Sequence, residues 1–226
     1  MHTSRTLGML LVAVCLLGLS CSESEREVLD PFFTAVQRGD ERAIKVVSLV
    51  PFPGKVRSWE IVEVGPQSSE PFALPALQGE ISELSEERRT KKEENDAFLE
   101  DHKSAFDQYR AKREKDPDYE FTGALADFQR QWEERRSAQE KLDRDEIDLM
   151  KQIDRLRVAA GMSVNYSVDE NFEGEVLGKD VTLKVNDGSA EKTYAFTLRK
   201  FNLANAKRNI SPIGRWVITD IKEAGA

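Results

Sequence analysis

Val181-Thr182-Leu183-Lys184-Val185, Asn186-Asp187-Gly188 and Thr193-Tyr194-Ala195-Phe196-Thr197-Leu198 decide how this chain is read. In the first run Val181, Leu183 and Val185 alternate with Thr182 and Lys184. In the last, Tyr194, Phe196 and Leu198 alternate with Ala195, Thr197 and Arg199. A strand sends successive side chains to opposite faces, so apolar spacing of period two means one buried face. Asn186-Asp187-Gly188 supplies the turn, and the expected unit is a β-hairpin. Working outward, residues 202–211 read as a mostly polar loop and Arg215-Trp216-Val217-Ile218-Thr219-Asp220-Ile221 as a last strand, with residues 222–226 as a frayed tail. On the other side Met162, Val164, Tyr166 and Val168 also alternate, which predicts a strand, followed by a polar stretch with Gly174 and Gly178.

Residues 76–160 keep a different rhythm. Leu125, Phe128, Trp132, Leu142, Leu149, Ile153, Leu156 and Ala160 fall at alternating steps of three and four, with Arg135, Gln139 and Glu146 as polar members of the same seam. Upstream, Ile81, Leu84, Phe98, Ala105 and Tyr109 do the same, with Arg88, Lys91, Asn95 and His102 as polar members. This is a heptad pattern. It breaks at Asp116-Pro117-Asp118, where proline cannot continue a helix interior. Folding about Pro117 sets Tyr109 opposite Leu125, Lys91 opposite Asp143, Arg88 opposite Glu146 and Ile81 opposite Ile153. Apolar ends then meet, and opposite charges meet between them. The expectation is an antiparallel coiled-coil hairpin with arms of about 50–60 Å at about 1.5 Å per residue. It would protrude and contact a protein partner or a second copy of the chain.

Toward the N-terminus Val28, Leu29, Phe32, Phe33 and Val36 recur about one helical turn apart. Either Asp30 caps a helix that begins at Pro31, or an earlier start bends there. Gly39 ends this helix and Asp40 caps the next, with Ala43, Ile44, Val47 and Val50 on one face and Pro51 and Pro53 closing it. Residues 55–64, with Val56, Trp59, Ile61, Val62 and Val64, read as a strand, and residues 65–75, with Pro66, Pro71 and Pro75, as a surface loop. Helices followed by mostly antiparallel strands form an α+β order. The expected architecture is N-terminal helices on a curved antiparallel sheet, residues 27–75 and 161–221, interrupted by the hairpin of residues 76–160.

Residues 1–20 read as an export signal: Arg5 in an acid-free start, an apolar run from Leu7 to Leu19, and Gly18-Leu19-Ser20-Cys21 at its end. The run is short for a bilayer span, which takes about 20 residues. These residues resemble the signal of bacterial lipoproteins, with Gly18 where that family usually carries an aliphatic residue. The resemblance implies that Cys21 becomes the acylated first residue of the mature chain. Residues 21–26 would be a short lipidated tether that holds the protein in the cell envelope. Several acyl chains anchor stably where one is marginal. Ser22, rather than Asp, after the Cys resembles the outer-membrane sorting pattern and implies the periplasmic face of that membrane. Cys15 lies inside the removed segment, so Cys21 accounts for the mature chain's only thiol and no internal disulfide is expected.

Of 226 residues, 33 are Lys or Arg and 41 are Asp or Glu, for a net charge of -8. Such a chain lacks the basic stripe that phosphate neutralisation requires, so nucleic acid is not an expected partner. The charge is concentrated: residues 80–157 hold more than half of the charged side chains. With two His in all, sites built on several histidines are excluded. There is no phosphate-cradling glycine loop, nucleophile elbow or metal-ligand spacing. Asp180, Asp187 and Asp220 fall at strand edges or turns, where solvated carboxylates are the default. No catalytic residue, metal or cofactor is expected.

Phe32-Phe33-Thr34-Ala35, Arg38-Gly39-Asp40, Ala43, the two hairpin runs and Gly214-Arg215-Trp216-Val217-Ile218 resemble small bacterial envelope lipoproteins with a nuclear-transport-factor-like, or cystatin-like, cone fold. The resemblance covers roughly half the chain. It implies a sheet wrapped round the helices and an apolar pocket, for which Trp59, Tyr194, Phe196 and Trp216 are the lining candidates. The functional expectation is a non-enzymatic, lipid-anchored envelope protein that acts as an interaction or scaffolding module through its hairpin. The alternative is a small-molecule or lipid-binding domain, or a degenerate enzyme, that uses the pocket.

Overall fold

The computed structural model describes residues 22–224. In chain order the elements are α1 (Ser22–Arg38), α2 (Glu41–Val47), β1 (Ser58–Val64), β2 (Ser68–Pro71), α3 (Leu74–Asp101), α4 (Lys103–Lys115), α5 (Ala124–Val164), β3 (Glu173–Asn186), β4 (Glu191–Ala204) and β5 (Val217–Glu223). The fold is α+β. Its five-stranded antiparallel sheet has the order β1-β3-β4-β5, with β2 also paired to β3. Two compact units divide the chain: a sheet unit, up to Pro75 and from Arg155 onward, and a helical unit, Ala76–Asp154.

β3 and β4 pair without a register shift from Glu173 opposite Ala204 to Asn186 opposite Glu191. Directly opposed residues share a face, so burial along this ladder shows which face is covered. Val181, Leu183 and Val185 are buried together with Phe196 and Tyr194 on one face. Val176, Phe201 and Leu203 are buried on the other. The covered face therefore switches between Gly178 and Val181 while the ladder runs on unchanged. The hairpin of the sequence reading is thus much longer than its two apolar runs, and takes in both the polar stretch at Gly174 and Gly178 and the start of the expected loop at residues 202–211.

On the first face α1 lays Val28, Leu29, Phe32 and Phe33 against Val181, Leu183, Phe196, Leu198 and Ile218. Phe33 stacks on Trp59 at 4.7 Å between ring centres, and Phe52 packs against Tyr194 at 4.9 Å. Each such side chain contributes about 1.5–3 kcal/mol on burial. Pro31 lies inside α1, so of the two readings of this helix the earlier start is correct. Residues 22–26, expected as a tether, are its opening turn, and Glu25 there is already fully buried. Gly39, at φ +65, ends α1, and the Asp40 carboxylate accepts from the Ala43 amide at 3.0 Å to cap α2.

On the second face Phe72 meets Phe201 edge-on at 5.9 Å, and its amide donates to the Gly174 carbonyl at 2.9 Å. The Ser163 hydroxyl accepts from the Phe201 amide at 3.1 Å and donates to the Arg215 carbonyl at 2.6 Å. Gly174 is required here: its φ is +148, and a Cβ would overlap the Asn202 carbonyl. The expected strand at Met162–Val168 is instead the end of α5, which continues to Val164 before Asn165 turns at φ 53. Ala159, Ala160, Ser163 and Val164, all buried, also obey helical spacing. A short apolar run satisfies both periods, and packing decides between them.

Other boundaries differ for local reasons. The expected loop at residues 65–75 contains β2, which pairs Ser68–Pro71 with Glu175–Gly178. Its proline stands at the strand end, where a missing N–H is tolerated. Ile61 and Val62 are adjacent apolar residues because a register shift falls between Ile61 and Glu63, leaving Val62 53% exposed. β5 starts at Val217 rather than Arg215. It continues through Lys222 and Glu223, which pair with Ala195 and Tyr194, so these two residues are not frayed.

In the helical unit α5 lies antiparallel to α3 and α4. Arg88 bonds to Glu146 and stands 3.6 Å from Asp143, and the Ser85 hydroxyl donates to Glu146 at 2.6 Å. Lys91 reaches Glu94 on its own helix at 2.9 Å instead of Asp143. Phe98 stacks on Phe128 at 5.7 Å, and Phe106, absent from the expected seam, packs on Trp132 at 5.9 Å. The turn at Pro117 is as expected, with the Asp118 amide donating to the Asp116 carboxylate at 3.0 Å. A second break, at His102, was not. The ring stacks on Phe98 at 4.3 Å and its Nδ1–H donates to the Phe98 carbonyl at 2.9 Å, competing with the helical ladder there.

Phe196→Ala is expected to lower unfolding stability by about 3–5 kcal/mol, while Val62→Ala stays within about 0.5 kcal/mol. Urea denaturation followed by circular dichroism checks both; equal effects would contradict the assignment of Phe196 to the core and Val62 to an exposed bulge.

Candidate functional site

Cys21, the expected point of lipid attachment, lies outside the described residues, as does the expected signal segment. The four candidate pocket residues do come to one face. Trp59 opposes Val185, and Tyr194 and Phe196 oppose Leu183 and Val181. Trp216 lies over Lys179, whose partner in the ladder is Leu198. Among the described residues they do not line a shared opening. Tyr194 and Phe196 are 4% and 0% exposed, and Phe32, Phe33 and Phe52 fill the space between α1 and the sheet. These are core contacts, as apolar residues at inward strand positions usually make.

Trp216 borders an open groove. It joins Glu27, Val28 and Pro31 of α1, Ala43, Val46 and Val47 at α2, and Arg215 around a groove of about 530 Å³. Arg215 crosses one side, its Nε donating to the Met162 carbonyl at 3.2 Å and a terminal nitrogen to the Val46 carbonyl at 3.1 Å. Glu27 stands on the rim. An apolar floor between one carboxylate and one guanidinium suits an apolar side chain or acyl group, and no nucleophile faces a base across it.

Below Trp216 is a buried ion pair. The Lys179 ammonium lies 2.6 Å from a Glu25 carboxylate oxygen, with side chains 10% and 1% exposed, and 5.0 Å from the Trp216 ring centre. Its position follows from register: Lys179 is two residues before Val181, so it points to the α1 face, where the next inward residue would be apolar. Glu25 of α1 meets it, which joins the opening turn of α1 to β3. Neither residue was among the sequence candidates. The available signal was a lysine in phase with an apolar run, opposite an acid in phase with Val28, Leu29 and Phe32.

Two of the carboxyl groups with lowered pKa belong to a turn and a strand end. The Ser189 hydroxyl and the Ala190 and Ser189 amides hold the Asp187 carboxyl at about 2, and this fixes the β3–β4 turn. Asn202 and Ser69 bond to Glu175 and lower it. Neither group lines the groove. On the helical unit Glu80, Glu83, Glu87, Asp145 and Asp148 border a shallow acidic cleft, and Ile147 and Met150 stand exposed outside the seam. Among the described residues no group of three or more His, Cys, Asp or Glu is arranged to hold a metal ion, and no helix is long and apolar enough to cross a membrane.

The geometry defines an α+β sheet unit that carries an antiparallel helical hairpin. No family model, curated protein or solved structure matches the chain.

Lys179→Met removes the cation beside the buried Glu25 carboxylate and is expected to cost about 3–5 kcal/mol. Chemical denaturation measures the loss; a change below about 1 kcal/mol, the usual range of exposed pairs, would show that the pair does not hold α1.

Proposed function

We propose that this chain is a non-enzymatic, lipid-anchored protein of the bacterial cell envelope. Acylated Cys21 holds it at the periplasmic face of the outer membrane, and its helical hairpin is an interaction or scaffolding module. The observation that carries this reading is the hairpin itself. Phe98, Phe106, Phe128 and Trp132 pack with one another inside the helical unit. Outside the seam, Ile147 and Met150 are 51% and 53% exposed among charged neighbours. A helix pair that packs its aromatic residues within its own seam and still presents Ile147 and Met150 outside it offers apolar anchor points for a protein contact.

A second reading is favoured by one observation, the groove beside Trp216. There the protein would hold an apolar ligand. Because aromatic rings fill the space beneath α1, that reading rests on the groove alone.

Two variants test the proposal in cells. Cys21→Ala is expected to abolish acyl labelling and release the protein from the membrane fraction; labelling that persists contradicts the anchor. A photo-reactive residue at Met150 is expected to give one adduct of fixed mass that Ile147→Asp removes, with the partner or the second copy identified by mass. A spread of abundant neighbours, unchanged by Ile147→Asp, contradicts the scaffold.

A further inference from the structure

At the end of β4 the chain turns back on itself. The Asn205 amide donates to the Ile210 carbonyl at 2.8 Å, the Leu203 amide donates to the Pro212 carbonyl at 3.3 Å, and Asn202 faces Ile213 in an antiparallel bridge. A Cβ at Gly214 would overlap the Phe201 carbonyl and the Ser163 hydroxyl, so glycine allows the returning strand to lie close against β4. Ile213 is turned outward and is 80% exposed, the highest value for a large apolar side chain among the described residues.

Its place relative to α1 follows from register. Asn202 shares the α1 face with Leu198, and Leu198 opposes Lys179, the partner of Glu25. Asn202 is four residue steps along the strand from Leu198, about 13 Å at about 3.3 Å per residue. α1 points its start in that direction. At its other end Gln37 donates to the Arg57 carbonyl at 3.3 Å, and the Arg57 amide donates to the Asn186 carbonyl at 2.7 Å, at the far end of β3. Ser22 begins α1 only about 4.5 Å along the helix axis from Glu25, and Cys21 is bonded to it.

We propose that the sheet unit docks on the phospholipid surface beside its anchor through this turn, with Ile213 inserted among the acyl chains. The proposal rests on the acylation of Cys21: its chain neighbour Ser22 already belongs to α1, so an anchor joined there would hold this end of the sheet, where Ile213 stands, close to the membrane. Of the charges named at this end, one is paired with an opposite charge and two are hydrogen-bonded to neutral groups. Arg208 pairs with Asp169 at 2.6 Å, Lys207 donates to Asn171 at 2.5 Å, and Glu175 accepts from Asn202 and Ser69. The proposed contact is insertion of the exposed Ile213 side chain, with no anionic lipid invoked.

The full acylated chain, carrying Ile213→Cys or, as a control at the opposite end of the sheet, Ser189→Cys, is labelled with an environment-sensitive fluorophore. It is then reconstituted into vesicles of phosphatidylcholine, with or without phosphatidylglycerol. Acylation occupies Cys21, so each variant has one reactive thiol. The label at 213 is expected to shift to shorter wavelength and to be quenched by acyl-chain spin labels at least twofold more than the label at 189, in both lipids. Ile213→Asp is expected to speed transfer of the acylated protein between vesicles about tenfold, from the loss of one buried aliphatic side chain. Equal, water-like emission at both positions in protein that floats with the vesicles overturns the docking and leaves the anchor standing. A chain that carries no acyl group and does not float overturns both.

Discussion

From Glu173 to Asn186 the backbone of β3 is committed residue by residue to β4, and no bulge interrupts the pairing. Each backbone bond contributes a net of only about 0.5–1.5 kcal/mol, but the uninterrupted register fixes which side chains share a face along the whole hairpin. Val181, Leu183, Phe196 and Leu198 are set toward α1, and Val176, Phe201 and Leu203 to the other side. A shift of one residue would send every one of them to the wrong face. The remaining strands attach to this pair: β1 and β2 along β3, and β5 along β4. Their own irregularities, at Val62 and at the Thr197–Leu198 step, are absorbed at the edges.

The same register explains the part of the molecule most relevant to function. Lys179 comes to the α1 face because it is in phase with Val181, and Glu25 answers it. That ion pair costs desolvation and is not by itself a source of net stability. It does specify where α1 begins relative to the sheet. α1 is described from Ser22, about one turn before Glu25, and so reaches one end of the sheet unit. The Trp216 groove and the turn at Ile213 border that helix and that end.

Much of this was legible in the sequence. The α+β class, the antiparallel helical hairpin, the turn at Pro117 and the pairing of Arg88 with Glu146 follow from period and charge, because long amphipathic patterns allow only one arrangement. What was not legible depends on contacts distant in sequence. Gly174 and Gly178 looked like loop residues because glycine weakens a strand; only the close approach of the Asn202 backbone shows why Gly174 belongs in one. Phe201 and Leu203 escaped notice because they continue β4 in the opposite phase to Tyr194, Phe196 and Leu198. That phase change is visible in the sequence once two buried faces are considered. Trp59, Tyr194 and Phe196 were grouped correctly by face, but aromatic residues on strands fill cores as readily as they line pockets, and only the positions of Phe32, Phe33 and Phe52 decide between these roles.

The central claim is that one continuous β3–β4 ladder serves both buried faces as a single cooperative unit. Native-state hydrogen exchange of the amides of residues 176–178 and 201–203, compared with those of residues 181–185 and 194–198, tests it directly. The account predicts that both groups exchange through the same global opening and with the same free energy. Rapid exchange of the first group while the second stays protected would contradict it, and would mean that the ladder is two hairpins end to end.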